Sequence, residues 1–206
     1  ENGGSIVRAA RSGELETTVL GTPHEQLVAA LEEIARETGA RLRGFSSVPP
    51  EELSRLTGLG ADEVCRGRQR EYDEPFLLEE GELAWVAAAA ARRGLRLHRG
   101  GRFLHLTGAS DKGRALRVLL GLLAAGGRQF YTAGLGDAPN DLAFLEVVDE
   151  AILVPRPDGR VHERLAAALP QAAHAPAPGP VGWNAAVLDL LARRDALREQ
   201  ARARAS

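Results

Sequence analysis

The run Phe130-Tyr131-Thr132-Ala133-Gly134-Leu135-Gly136-Asp137-Ala138-Pro139-Asn140-Asp141 decides how this chain is read. Residues Gln129 to Ala133 suit a strand, Gly134 and Gly136 a hinged loop, and Pro139 the start of a helix expected to reach Val147. In a parallel α/β sheet this puts Asp137 at the carboxyl end of a strand, where ligands of such sheets bind. Asn140 and Asp141 open the next helix, so oxygen-bearing side chains and a helix terminus converge on a volume suited to Mg²⁺ and phosphate. Taken alone, Asp-x-x-Asn-Asp reads more readily as a turn followed by a capped helix.

Outward from this run the chain alternates regularly. A helix is expected from Asp111 to Ala125, a strand from Ala151 to Val154, a helix from Arg160 to Leu169, and, after a Pro/Gly-rich stretch, an amphipathic helix from Trp183 to Arg194 with a fraying tail. That order predicts parallel α/β structure. Upstream, from Thr17 to Thr107, the pattern reads β, α, β, α, α, β, α, β, β, an open sheet with helices on one face. Its first helix is announced by Thr22-Pro23-His24-Glu25, with Thr22 as cap, and is ended by Gly39. A hairpin is expected through Gly100-Gly101.

The 206 residues are 44% hydrophobic and 26% charged with a formal charge of -2, an ordinary globular balance that gives no sign of a nucleic-acid-binding surface. No apolar run of about 20 residues is present to span a bilayer, and Cys65 is the single cysteine, so the expectation is a cytoplasmic protein without membrane partner or intrachain disulfide. The chain starts at Glu1 and has no methionine, which reads as a start inside a longer protein.

Lys112 is the single lysine in a chain whose other basic residues are arginines. Where arginine serves every generic positive charge, a surviving lysine points to a compact ammonium that a guanidinium cannot imitate. Its place at the start of a helix opposes the helix dipole, which weakens the reading of a merely solvated side chain. With Asp111-Lys112-Gly113 one helix and one strand ahead of Gly134 to Asp141, the pair resembles the third and fourth motifs of haloacid dehalogenase-like phosphatases. The resemblance implies a phosphoric monoester hydrolase in which an aspartate attacks phosphorus and water then releases phosphate. It also implies Mg²⁺ held partly by Asp137, with Asn140 and Asp141 as further candidates, and Lys112 stabilising the phosphoryl charge. The family's first motif, Asp-x-Asp-Gly-Thr, which bears the nucleophile, is not found in the chain. A segment of about 50 to 70 residues would supply it and complete the sheet, and the chain without it is expected to be inactive.

Three further segments narrow the resemblance: Gln69-Arg-Glu-Tyr-Asp-Glu-Pro-Phe76, Gly100-Gly-Arg-Phe103 followed by His105, and Gly179-Pro-Val-Gly-Trp183. Together they look like the mannosyl-3-phosphoglycerate phosphatases, enzymes of compatible-solute synthesis. The implied fold is an α/β Rossmannoid core, incomplete at its amino end, with an inserted α+β cap: residues 1–12 a core remnant, 13–108 the cap, 109–206 the carboxyl-terminal half of the core. The implied partner is a small phosphorylated glycosyl-glycerate, which presents two anionic groups. Arg102, approached through Gly101, is the candidate for its carboxylate, and Arg70, Tyr72 and Asp73 for sugar hydroxyls. Trp183 is expected to pack its helix, and His98, His105 and Cys65 to be structural. Alternatives are another sugar-phosphate phosphatase, for example one for glucosyl-3-phosphoglycerate, and a non-catalytic binding module if the chain is complete.

Overall fold

The computed structural model describes residues 1–10, 12–100, 103–125, 127 and 129–205. The chain divides into two compact units, Glu1–Asp111 and Lys112–Ser206.

The first unit opens with an antiparallel hairpin, β1 (Ser5–Ala9) and β2 (Leu15–Val19). There follow α1 (His24–Thr38), β3 (Arg41–Gly44), α2 (Pro50–Thr57), α3 (Ala61–Arg68), β4 (Asp73–Glu80), α4 (Leu83–Arg92), β5 (Arg96–Gly100) and β6 (Phe103–Thr107). The last four strands form an antiparallel sheet in the order β3-β4-β6-β5. Leu27, Leu31 and Ile34 recur at helical spacing on α1 and are essentially buried; with Val86, Ala89 and Ala90 of α4 they cover Phe76, Leu104 and Leu106 of the sheet. Each buried leucine stabilises this layer by about 1.5–3 kcal/mol.

Two expectations are corrected here. The helices do not all share one face, because α2 and α3 contribute Leu53 and Val64 to a separate cluster around Phe45 and Phe103. Phe103 alternates with Leu104 on β6 and so projects from the opposite side; the two phenylalanine rings meet edge to face at 4.6 Å. At α1, Pro23 rather than Thr22 occupies the cap, without a side-chain hydrogen bond. Thr22 is instead packed on Gly108, where a Cβ would lie 2.4 Å from its Oγ1. Gly39 does end the helix, in the left-handed conformation that glycine adopts without strain.

Asp73 and Glu74 are consecutive on β4, so the pleat sends them to opposite faces, and both are buried. Glu74 accepts from the Ser46 amide at 3.1 Å and hydroxyl at 2.8 Å, and its other oxygen lies 2.5 Å from His24 Nε2.

The second unit contains α5 (Lys112–Ala124), β7 (Ala133–Gly136), a 3₁₀ turn (Pro139–Asp141), α6 (Leu142–Leu145), β8 (Glu150–Leu153), α7 (Glu163–Ala168), β9 (Ala173–His174) and α8 (Gly179–Ala205). Its sheet is parallel, in the order β7-β8-β9, with β7 at an edge. The expected strand at Gln129 to Ala133 lies further on, at Ala133–Gly136, because parallel pairing with β8 draws the Gly-Leu-Gly segment into the sheet despite its low strand propensity. The helix expected from Pro139 is broken into a 3₁₀ turn and one α-turn. The last helix is longer than expected, since its Ala/Arg/Glu-rich continuation favours helix over fraying.

Candidate active site

β7 ends at Gly136, so Asp137 is the first residue beyond a parallel strand. Lys112 is the first residue of α5. The element between them in chemical terms is Asp141. Its Oδ1 accepts from Lys112 Nζ at 2.5 Å, and its Oδ2 accepts from the amides of Asp137 and Ala138, each at 3.2 Å. One buried carboxylate therefore ties the ammonium to the loop that carries Asp137.

Two glycines make this arrangement possible by close approach. A Cβ on Gly113 would lie 2.0 Å from the Ala143 carbonyl oxygen, and one on Gly136 would lie 2.7 Å from Asp141 Cβ. Gly134 and Gly136 were expected to hinge the loop. They lie within β7, and their use is to admit Phe144 and Asp141. Lys112 Nζ also sits 5.7 Å from the centroid of the Phe144 ring, a favourable place for a cation.

Asp137 is exposed, and its carboxylate is engaged by no hydrogen bond or ion pair of the described residues. It lines a cavity of about 430 Å³ together with Asp141, Leu135, Gly136, Pro180 and Trp183. Trp183 was expected to pack its helix; it is half exposed and faces this cavity. Asn140 is exposed on the 3₁₀ turn. Among the described residues no group of three His, Cys, Asp or Glu side chains could hold a metal ion. The donor set fits Mg²⁺ in kind but not in number. Asp137 offers hard oxygens not consumed by the protein, whereas both oxygens of Asp141 are taken, and an octahedral ion needs further oxygen ligands from elsewhere.

The candidate substrate contacts are in the first unit. Gly101 and Arg102 lie outside the described residues. Arg70 donates to the Gly67 carbonyl and, at 2.7 Å, to Asp73 Oδ2. Asp73, buried on both oxygens, also receives His105 Nδ1 at 2.9 Å, so it holds its neighbours rather than offering a lone pair outward. Tyr72 is packed against Gly4 and Gly21, at both of which a Cβ would collide with it. His105, expected to be structural, is held by Asp73, a pairing that the sequence did not announce. The only signal was its alternation on β6 with Phe103 and Thr107, which shows a shared face but not a partner 32 residues away. His98 stacks on His105 with centroids 5.1 Å apart, and Asn2 Nδ2 donates to its Nε2 at 3.2 Å. Burial, and secondarily the charge of His105, hold His98 below its ordinary pKa, with Asp73 acting in the opposite sense.

Among the described residues no helix is long and apolar enough to cross a membrane. No family model matches the chain. A glucosyl-3-phosphoglycerate/mannosyl-3-phosphoglycerate phosphatase of Methanococcoides burtonii is 36% identical over 185 residues, covering 89% of this chain and 67% of that protein. One of the same description from Persephonella marina is 34% identical over 154 residues, 73% of this chain and 56% of the other. A mannosyl-3-phosphoglycerate phosphatase of Pyrococcus furiosus is 32% identical over 148 residues, 72% and 59% respectively. The chain thus spans between 56% and 67% of the length of these three relatives. Among solved structures, a protein of Thermoplasma acidophilum is similar with a TM-score of 0.55 at 17% identity, covering 86% of this chain and 64% of that one. A haloacid dehalogenase-like hydrolase of Bacteroides thetaiotaomicron gives a TM-score of 0.51 at 18% identity, covering 84% and 68%. The strand-end aspartate and the helix-start lysine fall on a haloacid dehalogenase-like fold, and the chain belongs to the mannosyl-3-phosphoglycerate phosphatase family.

Proposed function

We propose that the protein is a Mg²⁺-dependent phosphatase of glycosyl-3-phosphoglycerates, and that this chain carries the phosphate-stabilising half of its site. The observation that carries the reading is the contrast within one loop: Asp141 is fully engaged in positioning Lys112, while Asp137 faces the cavity with its carboxylate unengaged. The mannosyl compound is common to the names of the three relatives, and the glucosyl compound appears in two. Release of mannosylglycerate would make this a compatible-solute enzyme of the cytoplasm.

In this reading the Asp137 carboxylate serves as one ligand of the cation, with Asn140 beside it. A bound Mg²⁺ would neutralise charge on the phosphate. The Lys112 ammonium, held by Asp141, gives the same phosphate a fixed positive partner that needs no reorganisation as charge develops. The nucleophile and remaining metal ligands come, in this proposal, from a further segment that also pairs with the edge of β7. The domain boundaries proposed are residues 1–12 and 109–206 for the core and 13–108 for the inserted cap.

The test is a steady-state assay of the full-length protein on mannosyl- and glucosyl-3-phosphoglycerate, with and without Mg²⁺. Turnover of the mannosyl compound that requires the metal is expected. Absence of that turnover, with or without metal, would overturn the reading.

A further inference from the structure

In the second unit, the segment Gly179-Pro180-Val181-Gly182-Trp183 opens α8. A Cβ on Gly182 would lie 1.6 Å from the Ala177 carbonyl oxygen. The first turn of the helix therefore closes on the chain before it through a missing side chain, and this fixes the backbone from which Trp183 projects. One turn further on, Ala186 is buried against Ile152, Val154 and Ala175. Trp183, three residues before Ala186, continues the same side of the helix but is 49% exposed.

With Leu135, Val154 and Pro180, the Trp183 ring makes the apolar part of the lining of the cavity that also holds Asp137 and Asp141. A ring that served only to anchor its helix would be buried, since an aromatic side chain stabilises by the area it removes from water. Here half of it stays at the cavity, and its indole N–H meets no acceptor among the described residues. Apolar surface with one donor suits a ligand part that has C–H faces and hydroxyls. A second anion does not fit, because the described residues lining the cavity include two carboxylates and no arginine, lysine or histidine.

From this wall we infer that Trp183 is a sugar-binding residue: the glycosyl ring of the substrate packs its C–H face on the indole, and a ring hydroxyl accepts from Nε1. The inference rests on the proposed phosphatase function for the identity of the ligand, and it deepens that reading. The phosphate is assigned to Asp137 and Lys112 of the same unit, and the glycosyl group is the uncharged part of such a molecule. A residue expected to pack its helix thus selects the leaving group, and Gly182 gains a use, because a side chain there would displace the first turn and the ring with it.

Two measurements on the full-length protein test it. The first compares kcat/KM for mannosyl-3-phosphoglycerate with kcat/KM for 3-phosphoglycerate, which lacks the sugar, in wild type, Trp183→Ala and Trp183→Phe. The wild type is expected to prefer the glycosylated compound. Trp183→Ala should lose that preference by about fivefold or more, through KM, and Trp183→Phe should keep most of it. A residue that only packs α8 would change the amount of folded enzyme, which affects both substrates equally and leaves the ratio in place. A preference that survives in Trp183→Ala overturns the inference. The second labels the protein with 5-fluorotryptophan and follows the fluorine resonance that Trp183→Phe removes, during titration with mannosylglycerate and, as the control without a sugar, D-glycerate. A shift with mannosylglycerate alone supports the subsite. Equal responses, or none, overturn it, as they would if a further segment of the protein filled the wall. If the wild type leaves mannosyl-3-phosphoglycerate intact while Trp183 responds to mannosylglycerate, the phosphatase reading falls and the sugar subsite stands.

Discussion

Both units bury carboxylates against cations, but they differ in what they leave over. In the antiparallel unit Asp73 and Glu74 are each surrounded by donors, Arg70 and His105 on one face and His24 and Ser46 on the other. In the parallel unit Asp141 is satisfied in the same way, while Asp137, four residues earlier, is left exposed at a cavity. The apolar packing differs too. The antiparallel sheet has two helices whose core residues are almost fully buried, whereas α5, with its leucine-rich sequence, buries only Gly113. Saturation by donors thus separates Asp73, Glu74 and Asp141 from Asp137, a distinction that residue type alone does not make.

The largest test of that distinction is Asp137→Asn in the full-length protein. Turnover is expected to fall by about 10²–10³-fold, equal to about 3–4 kcal/mol, together with a weaker dependence on Mg²⁺. Stability to urea should stay within about 0.5 kcal/mol, because nothing in the protein loses a partner. Undiminished turnover would remove Asp137 from the site and collapse the contrast with Asp141.

Glu74→Ala should do the reverse in kind. It strips His24 and Ser46 of a buried acceptor and is expected to lower unfolding free energy by about 2–3 kcal/mol, read from the urea midpoint. A neutral result would mean that water satisfies those donors and that saturation is not what holds the strand.

The smallest expected effect concerns His98. Its folded pKa is depressed from the ordinary 6.5, chiefly by burial, so protonation favours the unfolded chain. The contribution is present above the unfolded value and is lost as pH falls through the lower folded value. Thermal unfolding followed from about pH 7.5 to about pH 5 should therefore show a shallower acid loss in His98→Asn than in wild type. Identical profiles would shift the cause to the carboxylates.

How much of this was legible beforehand depended on sequence distance. The loop from Gly134 to Asp141 was readable because its turn residues, proline and oxygen donors are contiguous, and Lys112 because it is the single lysine. The division of labour within the loop was not. That Asp141 turns inward to Lys112 depends on α5 lying against Ala143, a contact permitted by the missing side chain at Gly113. The β7 strand was misplaced toward Gln129 because local propensity favours Phe130 and Tyr131, which are both exposed, over Gly-Leu-Gly. The Asp73 and His105 pair needed the register of two strands, and no local pattern supplies a register.

The adjacency of Asp73 and Glu74 has one more consequence. If β4 slipped by a single residue against its neighbours, each carboxylate would be turned to the wrong side of the sheet, Asp73 among the leucines and Glu74 away from His24 and Ser46. Two uncompensated buried charges would then oppose the misaligned chain at once. A slipped register would therefore be penalised twice over, once for each carboxylate, which marks the native alignment off from its nearest neighbours.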